Sequence, residues 1–409
     1  MQQLPLGTTE PESDWSTPGQ PAWPPRATRA QGLQQLDAFI RQAGRAYQTH
    51  RNTDLGSGRH GHVSLLSPYL RHRLIDESEV ISQVLGQHSQ SEAFKFVQEV
   101  FWRTYWKGWL EQRRLLWPEY QQQLPAVLQQ QLQTRRQSAD YTAAISATTQ
   151  IPLFNEWCEE LINTGYLHNH ARMWFASIWI FTLKLPWQLG ADFFVRHLID
   201  GDPASNTLGW RWVAGLHTAG KSYLATPKNI RTCAQERLAG RSDQELGLNK
   251  LASSTFNLPE HLSAKALQKT DIRWPAPESA ESAGYRGNHG RTALLLTEED
   301  LSWMPSQMPQ GLVALNACPR SVLASSSDIV TQFVEAASDD GLQRLTRHYA
   351  AAGLPCAETA LDDDALVQWL VEERGCLPDR PTADDAARAW RASALVSAWN
   401  TRGSRSSRG

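Results

Sequence analysis

Cysteine is scarce and scattered in this 409-residue chain: Cys158, Cys233, Cys318, Cys356 and Cys376 are odd in number and form no Cys-x-x-Cys pair. That spacing argues against a zinc knuckle or a disulfide framework and fits a reducing compartment. Excess charge of either sign is also absent, with 40 Lys and Arg against 42 Asp and Glu. Any surface for nucleic acid must therefore be local. Long hydrophobic runs are missing too. The longest, Met173 to Leu183, is too short to cross a bilayer and reads as a buried helix. The N-terminus has no basic segment followed by an apolar run, so no secretory signal is expected. These absences predict a soluble cytoplasmic protein with no membrane partner.

The fold class expected is mainly α. Residues 1–31, rich in Pro, Ser, Thr and Gly, read as a disordered leader. Residues 32–241 follow a helical pattern with almost no strand-like alternation. Leu33, Leu36, Phe39 and Ile40 mark a first amphipathic helix, and Val84 to Leu116 and Asn169 to Leu185 carry long 3.6-period stripes. Gln121 to Gln137 reads as an exposed Gln-rich helix. Residues 242–290, with weak periodicity, suit a linking or wrapping segment. In residues 291–400, Ala293 to Leu296 and Leu312 to Leu315 read as short buried strands. Helical patterns follow at Asp328 to Ala351, Asp364 to Glu373 and Ala383 to Trp399, which predicts a small α/β module with a parallel sheet. That module holds no G-x-G-x-x-G and no Walker loop, so no nucleotide site is read from it. Residues 401–409 form an Arg- and Ser-rich tail expected to be disordered.

What the chain does have is concentrated in NTGYLHNHARMWFASIWIFTLKLPWQLGADFFVRHLIDGDPASNTLGWRW, residues 163–212, which holds five tryptophans. Cores are usually built from aliphatic residues, because a buried indole N–H needs a partner. Tryptophan threaded with polar groups therefore points to a site for a large flat ligand. On one helix face Glu99, Trp102 and Arg103 fall at i, i+3 and i+4. The carboxylate can accept from a ligand N–H while the indole stacks on a ring; the same residues also suit a Glu–Arg pair beneath a surface aromatic. Asn169, Arg172 and Met173 repeat the spacing, with Met a soft surface against a planar ring or simply core. His168 and His170 are two apart and face apart, so no shared metal is expected. Asp200 and Asp202 can bind a divalent ion, balance Arg172 or hold polar ligand groups. With no further acid nearby, metal is the weakest of these. Ser64 and Ser67 precede a helix carrying Arg71 and Arg73, an arrangement that serves as an anion cradle or as plain N-capping.

In this order, VFWRTYW, TGYLHNHARM and HLIDGDPASNTLGWRW resemble the flavin-binding domain of the DNA photolyase and cryptochrome family, over about Leu33 to Thr226. The resemblance implies an all-helical domain holding FAD. Tyr47, Arg51, Ser64, Leu66, Ser67 and Phe96 match positions around the flavin's phosphates and ribityl chain or its pocket. Arg103, Arg172, Asp200 and Asp202 match the ring around the isoalloxazine, Asn169 and Gly201 match further cofactor-binding positions, and Asn206 matches the residue at flavin N5. Glu99, Trp102, Asn169, Met173 and Trp212 match the pocket for a flipped pyrimidine dimer. Trp210 and Trp187 match the inner members of an electron-relay chain, with Trp117 and Trp109 as candidates for the outermost.

The function so implied is a deoxyribodipyrimidine photolyase, a carbon–carbon lyase. It would bind UV-damaged DNA, single- or double-stranded, and repair cyclobutane dimers under blue light, with Glu99, Asn169, Met173, Asn206, Trp187 and Trp210 as catalytic residues. Six-four photolyases characteristically have His at the places of Asn169 and Met173, which favours the dimer reading. The chain departs from the family in lacking the usual N-terminal antenna domain, so a second chromophore is unsupported. It also has His170 where Arg is usual and Val63 where Thr is usual. The alternative is a cryptochrome-like photoreceptor without repair activity, signalling to a partner through the C-terminal module.

Overall fold

A computed structural model describes residues 25–113, 115–218, 221–258, 293–302, 311–314 and 320–350. Fourteen α-helices lie among them. They are α1 (Arg29–Ile40), α2 (Arg45–His50), α3 (Ser67–Arg71), α4 (Glu77–Gln87), α5 (Gln90–Glu111), α6 (Leu116–Gln131) and α7 (Arg135–Ile145). Then come α8 (Pro152–Thr164), α9 (Asn169–Ser177), α10 (Trp187–His197), α11 (Pro203–Val213), α12 (Pro227–Cys233), α13 (Asp243–Leu246) and α14 (Asp328–Ala350). The mainly α class read from periodicity is the class observed. No described helix is long and apolar enough to cross a membrane.

Local chemistry sets the boundaries. The stripe expected over Val84 to Leu116 is broken at His88 and Ser89, because Ser89 and Glu92 form a reciprocal capping box that starts α5. Helix α8 stops at Gly165, whose φ of 66° suits glycine; a Cβ there would lie 2.6 Å from Ile199 Cγ1. The next helix follows at once, with His168 Nδ1 accepting from the His170 backbone N–H at 3.2 Å. Asp202 caps α11 by accepting from Ser205 N at 2.8 Å, and Pro203 fills the first turn. The Gln-rich helix differs from expectation. It begins at Leu116 and ends at Gln131, and Leu124 is buried while Leu132 is exposed.

Helix α11 packs on α10, α5 and α9, while α5 also meets α2 and α4. One apolar core gathers the buried tryptophans from α6, α8, α9, the π-helical turn Ile178–Thr182, α10 and α11. A second, mostly aliphatic core joins α1, α3, α4 and α5 to Leu296, Leu301, Val330, Phe333 and Leu345.

Strands β1 (Ala293–Leu296) and β2 (Gly311–Ala314) pair in parallel, Ala293 opposite Gly311 through Leu296 opposite Ala314. The parallel pair and the helix after it are where the sequence pattern places them, β2 one residue early. The described part of this segment has no core of its own, however: it shares the second core with the N-terminal helices. Two strands and one helix bury too little apolar surface alone, and the faces of α1 and α3 supply the rest. The proposed helices at 364–373 and 383–399, most of the leader, most of the 242–290 linker and the 401–409 tail lie outside the described residues.

Candidate functional site

The site grows from α5, α9 and α11 and the loop entering α11. On α9, Arg172 donates from Nη2 to Asp200 Oδ2 at 2.8 Å and from Nε to the Leu167 carbonyl at 2.7 Å. Burial alone would lower the Arg172 pKa, but Asp200 beside it outweighs burial and holds the guanidinium charged. Next along the loop, Asp202 sits with its side chain 5 % exposed. Its Oδ2 faces Lys107 Nζ at 3.5 Å and Arg103 Nη2 at 3.8 Å. Burial opposes ionisation here, yet Lys107, Arg103 and Arg71 prevail and hold this carboxyl far below the ordinary range. Asn206, one turn into α11, donates its amide Nδ2 to the Ala191 carbonyl at 2.7 Å, which fixes its orientation.

The face of α5 does not form the Glu–Arg pair that its spacing allows. Glu99 does not pair with Arg103. It accepts from Arg51 Nη1 at 2.6 Å, across from α2, while Arg103 donates to Glu77 at 2.8 Å and to the Arg71 carbonyl at 3.2 Å. Burial raises the Glu99 pKa, and Arg51 only partly offsets it. Trp102 is exposed, edge-on to Tyr105 at 5.1 Å and stacked on Trp106 at 5.6 Å. Asn169, the first residue of α9, is exposed, and Met173, midway along that helix, is half-buried. Trp212 is half-buried and stacks on Tyr223 at 5.6 Å.

Tyr47 packs edge-on against the buried Phe96 at 5.1 Å. The segment before α3 departs from an anion cradle built on helix-end hydroxyls. Ser64 accepts from Leu66 N at 3.4 Å, Ser67 makes no capping bond, and α3 spans only five residues. Arg71 turns inward rather than toward a ligand: it donates from Nε to the Gly201 carbonyl at 3.0 Å and pairs with Glu299. Arg73 pairs with Glu77 at 3.4 Å.

Trp187 and Trp210 are both buried. Trp187 stacks on Tyr120 at 5.6 Å, and Tyr120 meets Trp117 at 5.4 Å, so the three rings form one file. Trp109 belongs elsewhere, between His217 at 4.7 Å and the Arg113 guanidinium at 3.8 Å. Trp210 lies edge-on to Phe194 at 5.0 Å and reaches Gly190, where a Cβ would stand 2.3 Å from its Cη2. Trp174 and Trp179 are core. Their indole N–H groups reach Asn229 at 2.8 Å and the Pro186 carbonyl at 2.9 Å. Among the described residues no group of His, Cys, Asp and Glu could hold a metal.

The sequence reading missed Lys107, Tyr120 and Glu299. Lys107 follows Arg103 by one helical turn, and Tyr120 follows Trp117 by three residues, so both carried a periodic signal. Glu299 sits in a Thr-Glu-Glu-Asp run after β1 with nothing local to mark it.

Residues 96–243 match the family described as the FAD binding domain of DNA photolyase. The chain is 26 % identical to a deoxyribodipyrimidine photo-lyase of Alkalihalophilus pseudofirmus over 51 % of its own length and 40 % of the relative's. It is 30 % identical to one from Thermus thermophilus over 54 % and 50 %, and 32 % identical to that of Streptomyces griseus over 38 % and 33 %. The chain therefore spans half or less of each relative. Among solved structures, a class III photolyase from Agrobacterium tumefaciens aligns with a TM-score of 0.43 at 25 % identity, covering 54 % of this chain and 45 % of that one.

FAD is the cofactor of the matched domain, and the residues present fit it. The buried acceptors Asp200 Oδ1 and Asp202 Oδ2 have no hydrogen-bond partner among the described residues. A buried polar atom without such a partner is costly, and a flat heterocycle edged with N–H and C=O groups supplies what these atoms need.

Proposed function

We propose that this chain, whose residues 96–243 match the FAD binding domain of DNA photolyase, is a light-dependent lyase repairing cyclobutane pyrimidine dimers in DNA. The observation that carries this reading is the convergence of α5, α9 and α11. It packs α11 against both α5 and α9, so that Arg172 of α9 meets the buried Asp200 and Arg103 of α5 faces the buried Asp202, on the helices that also carry Glu99, Asn169 and Met173.

When bound, reduced FAD excited by light supplies the electron that opens the cyclobutane ring and recovers it afterwards. The protein binds and orients. Asp200, held by Arg172, and Asp202, held by Lys107 and Arg103, present acceptors to the flavin ring, with Asn206 beside them. By the resemblance, Tyr47, Arg51, Ser64, Leu66, Ser67, Phe96 and Gly201 would line its other parts, the serines as neutral hydroxyls rather than as a helix-end cradle. A cyclobutane dimer stacks and pairs poorly, so flipping it from the duplex costs less than flipping an intact base. Trp102, Trp212 and Met173 then wall the lesion while Glu99 and Asn169 bond its edge. Glu99 must exchange Arg51 for the substrate, and a carboxyl of raised pKa can meet a base edge as acceptor or donor. Trp210 and Trp187 carry electrons inward. The file of Trp187, Tyr120 and Trp117 supports Trp117 over Trp109 as its outer end.

The test is illumination of the purified, reduced flavoprotein with dimer-containing DNA. Restored intact pyrimidines are expected; no light-dependent repair of either single- or double-stranded substrate overturns the reading. A second reading, a photoreceptor signalling through the C-terminal segment, draws on the burial of Glu298 and Glu299 against the site's cations. It requires that light change the protease sensitivity of residues 293–350.

A further inference from the structure

Every site residue read from the sequence lies between Tyr47 and Trp212, yet the charge surrounding Asp202 is completed from outside that stretch. After β1 the chain turns tightly, Asp300 N donating to the Thr297 carbonyl at 3.0 Å, and carries Glu298 and Glu299 into the helical domain. Main-chain bonds fix the turn. Leu301 N donates to the His72 carbonyl at 3.1 Å, and the Glu298 carbonyl meets His72 Nδ1 at 2.7 Å. Arg344 of α14 clasps the far side, donating to the Leu301 carbonyl at 2.8 Å.

So placed, Glu299 pairs with the buried Arg71 and lies 3.6 Å from Lys107 Nζ. Lys107 Nζ stands 3.5 Å from Asp202 on its other side. The ammonium is thus shared almost equally between one carboxylate of the α11 cap and one of the C-terminal segment. Without Glu299, Asp202 would face Arg71, Lys107 and Arg103, with Glu77 on Arg103 and Glu298, 3.8 Å from Arg71, as the remaining counter-charges. At these depths charges are weakly screened, so one carboxylate more or less changes the potential across the site.

We propose that Glu299 is a positioning residue of the flavin site, holding Lys107 and Arg71 so that Asp202 carries a balanced charge, and that the C-terminal segment thereby sets the reduction potential of the bound flavin. This rests on the reading of Asp200 and Asp202 as flavin ligands. Its sign is definite. Removing the anion leaves excess positive charge, which favours the added electrons and raises the potential.

The experiment uses the full chain carrying flavin, with the midpoint potential measured by dye equilibration. Glu299→Gln is expected to shift the reduction equilibrium about tenfold toward the reduced form, about 30 mV for a two-electron couple. Lys107→Gln is expected to shift it the opposite way, and the double variant to return toward the parent value. A Glu299→Gln protein with flavin bound and an unchanged potential overturns the proposal. If that variant does not fold, an unchanged potential in Lys107→Gln overturns it equally. A parent protein that takes up no flavin defeats the proposed function itself, which separates the two failures.

Discussion

The two apolar cores of this chain are made of different residues and obey different constraints. Trp117, Trp157, Trp174, Trp179, Trp187 and Trp210 are buried in the first. The second has no tryptophan among its described buried residues and relies on Leu, Ile, Val and Phe. An aliphatic core needs only volume and close packing. An indole core needs in addition a partner for each N–H, and the tryptophans divide on that point. Trp174 and Trp179 have partners; Trp187 and Trp210 have no hydrogen-bond partner among the described residues. Rings kept at the cost of an unpaired N–H fit a use for the ring itself, as in electron transfer. Trp157 also lacks a bond, and beyond the Arg237 guanidinium 5.8 Å from its ring nothing in the structure explains it.

The strongest challenge to this division comes from the aliphatic side. Phe333 of α14 packs on Tyr69 and His72 of the N-terminal helices. Phe333→Ala should cost about 3–5 kcal/mol and lower one common urea transition. A separate early transition, with tryptophan fluorescence unmoved, would mean that the segment is an independent unit.

The same glycine substitution sharpens the contrast between the cores. Gly190→Ala drives a Cβ to 2.3 Å from Trp210, which overpacks a rigid ring and should cost about 1–3 kcal/mol. Gly32→Ala in the aliphatic core meets Tyr69 only at 3.0 Å. The better helix propensity of Ala offsets part of its strain, about 0.5–1 kcal/mol. Equal melting temperatures for the two variants would contradict the difference in rigidity.

Two further substitutions separate tryptophans by role. Trp174→Phe deletes the donor to Asn229 and should lower stability by about 1 kcal/mol with photoreduction of the oxidised flavin intact. Trp187→Phe deletes no hydrogen bond, so its stability cost should be smaller, while photoreduction slows. Chemically reduced Trp187→Phe should still repair DNA. Unchanged photoreduction in Trp187→Phe, followed by flash absorption, would remove it from the relay.

Much of the helical frame was readable because its causes are local. The apolar residues Leu33, Leu36, Phe39 and Ile40 do form one face of α1, and Glu99, Trp102 and Arg103 do share a helix. Pairing was not readable. Glu99 looked equally able to meet Arg103 one turn away, but Arg51 lies closer once α2 packs on α5. Arg71 looked like an anion ligand beside Ser67, yet burial against Glu299 engages it. The tryptophan excess was visible as an oddity, and only packing divided it into bonded and unbonded indoles.

By itself the sequence determined what acts over three or four residues: the 3.6-residue stripes, the Ser89 and Asp202 caps, the stop at Gly165, and the aromatic wealth of residues 163–212. Tertiary structure alone decided which acid neutralises which base. Arg51 with Glu99, Lys107 shared between Asp202 and Glu299, and Arg71 with Glu299 are pairs remote in sequence. The physical reason is that charge interactions depend on distance in space and on the exclusion of water, and both are set only when the helices and the C-terminal segment have packed.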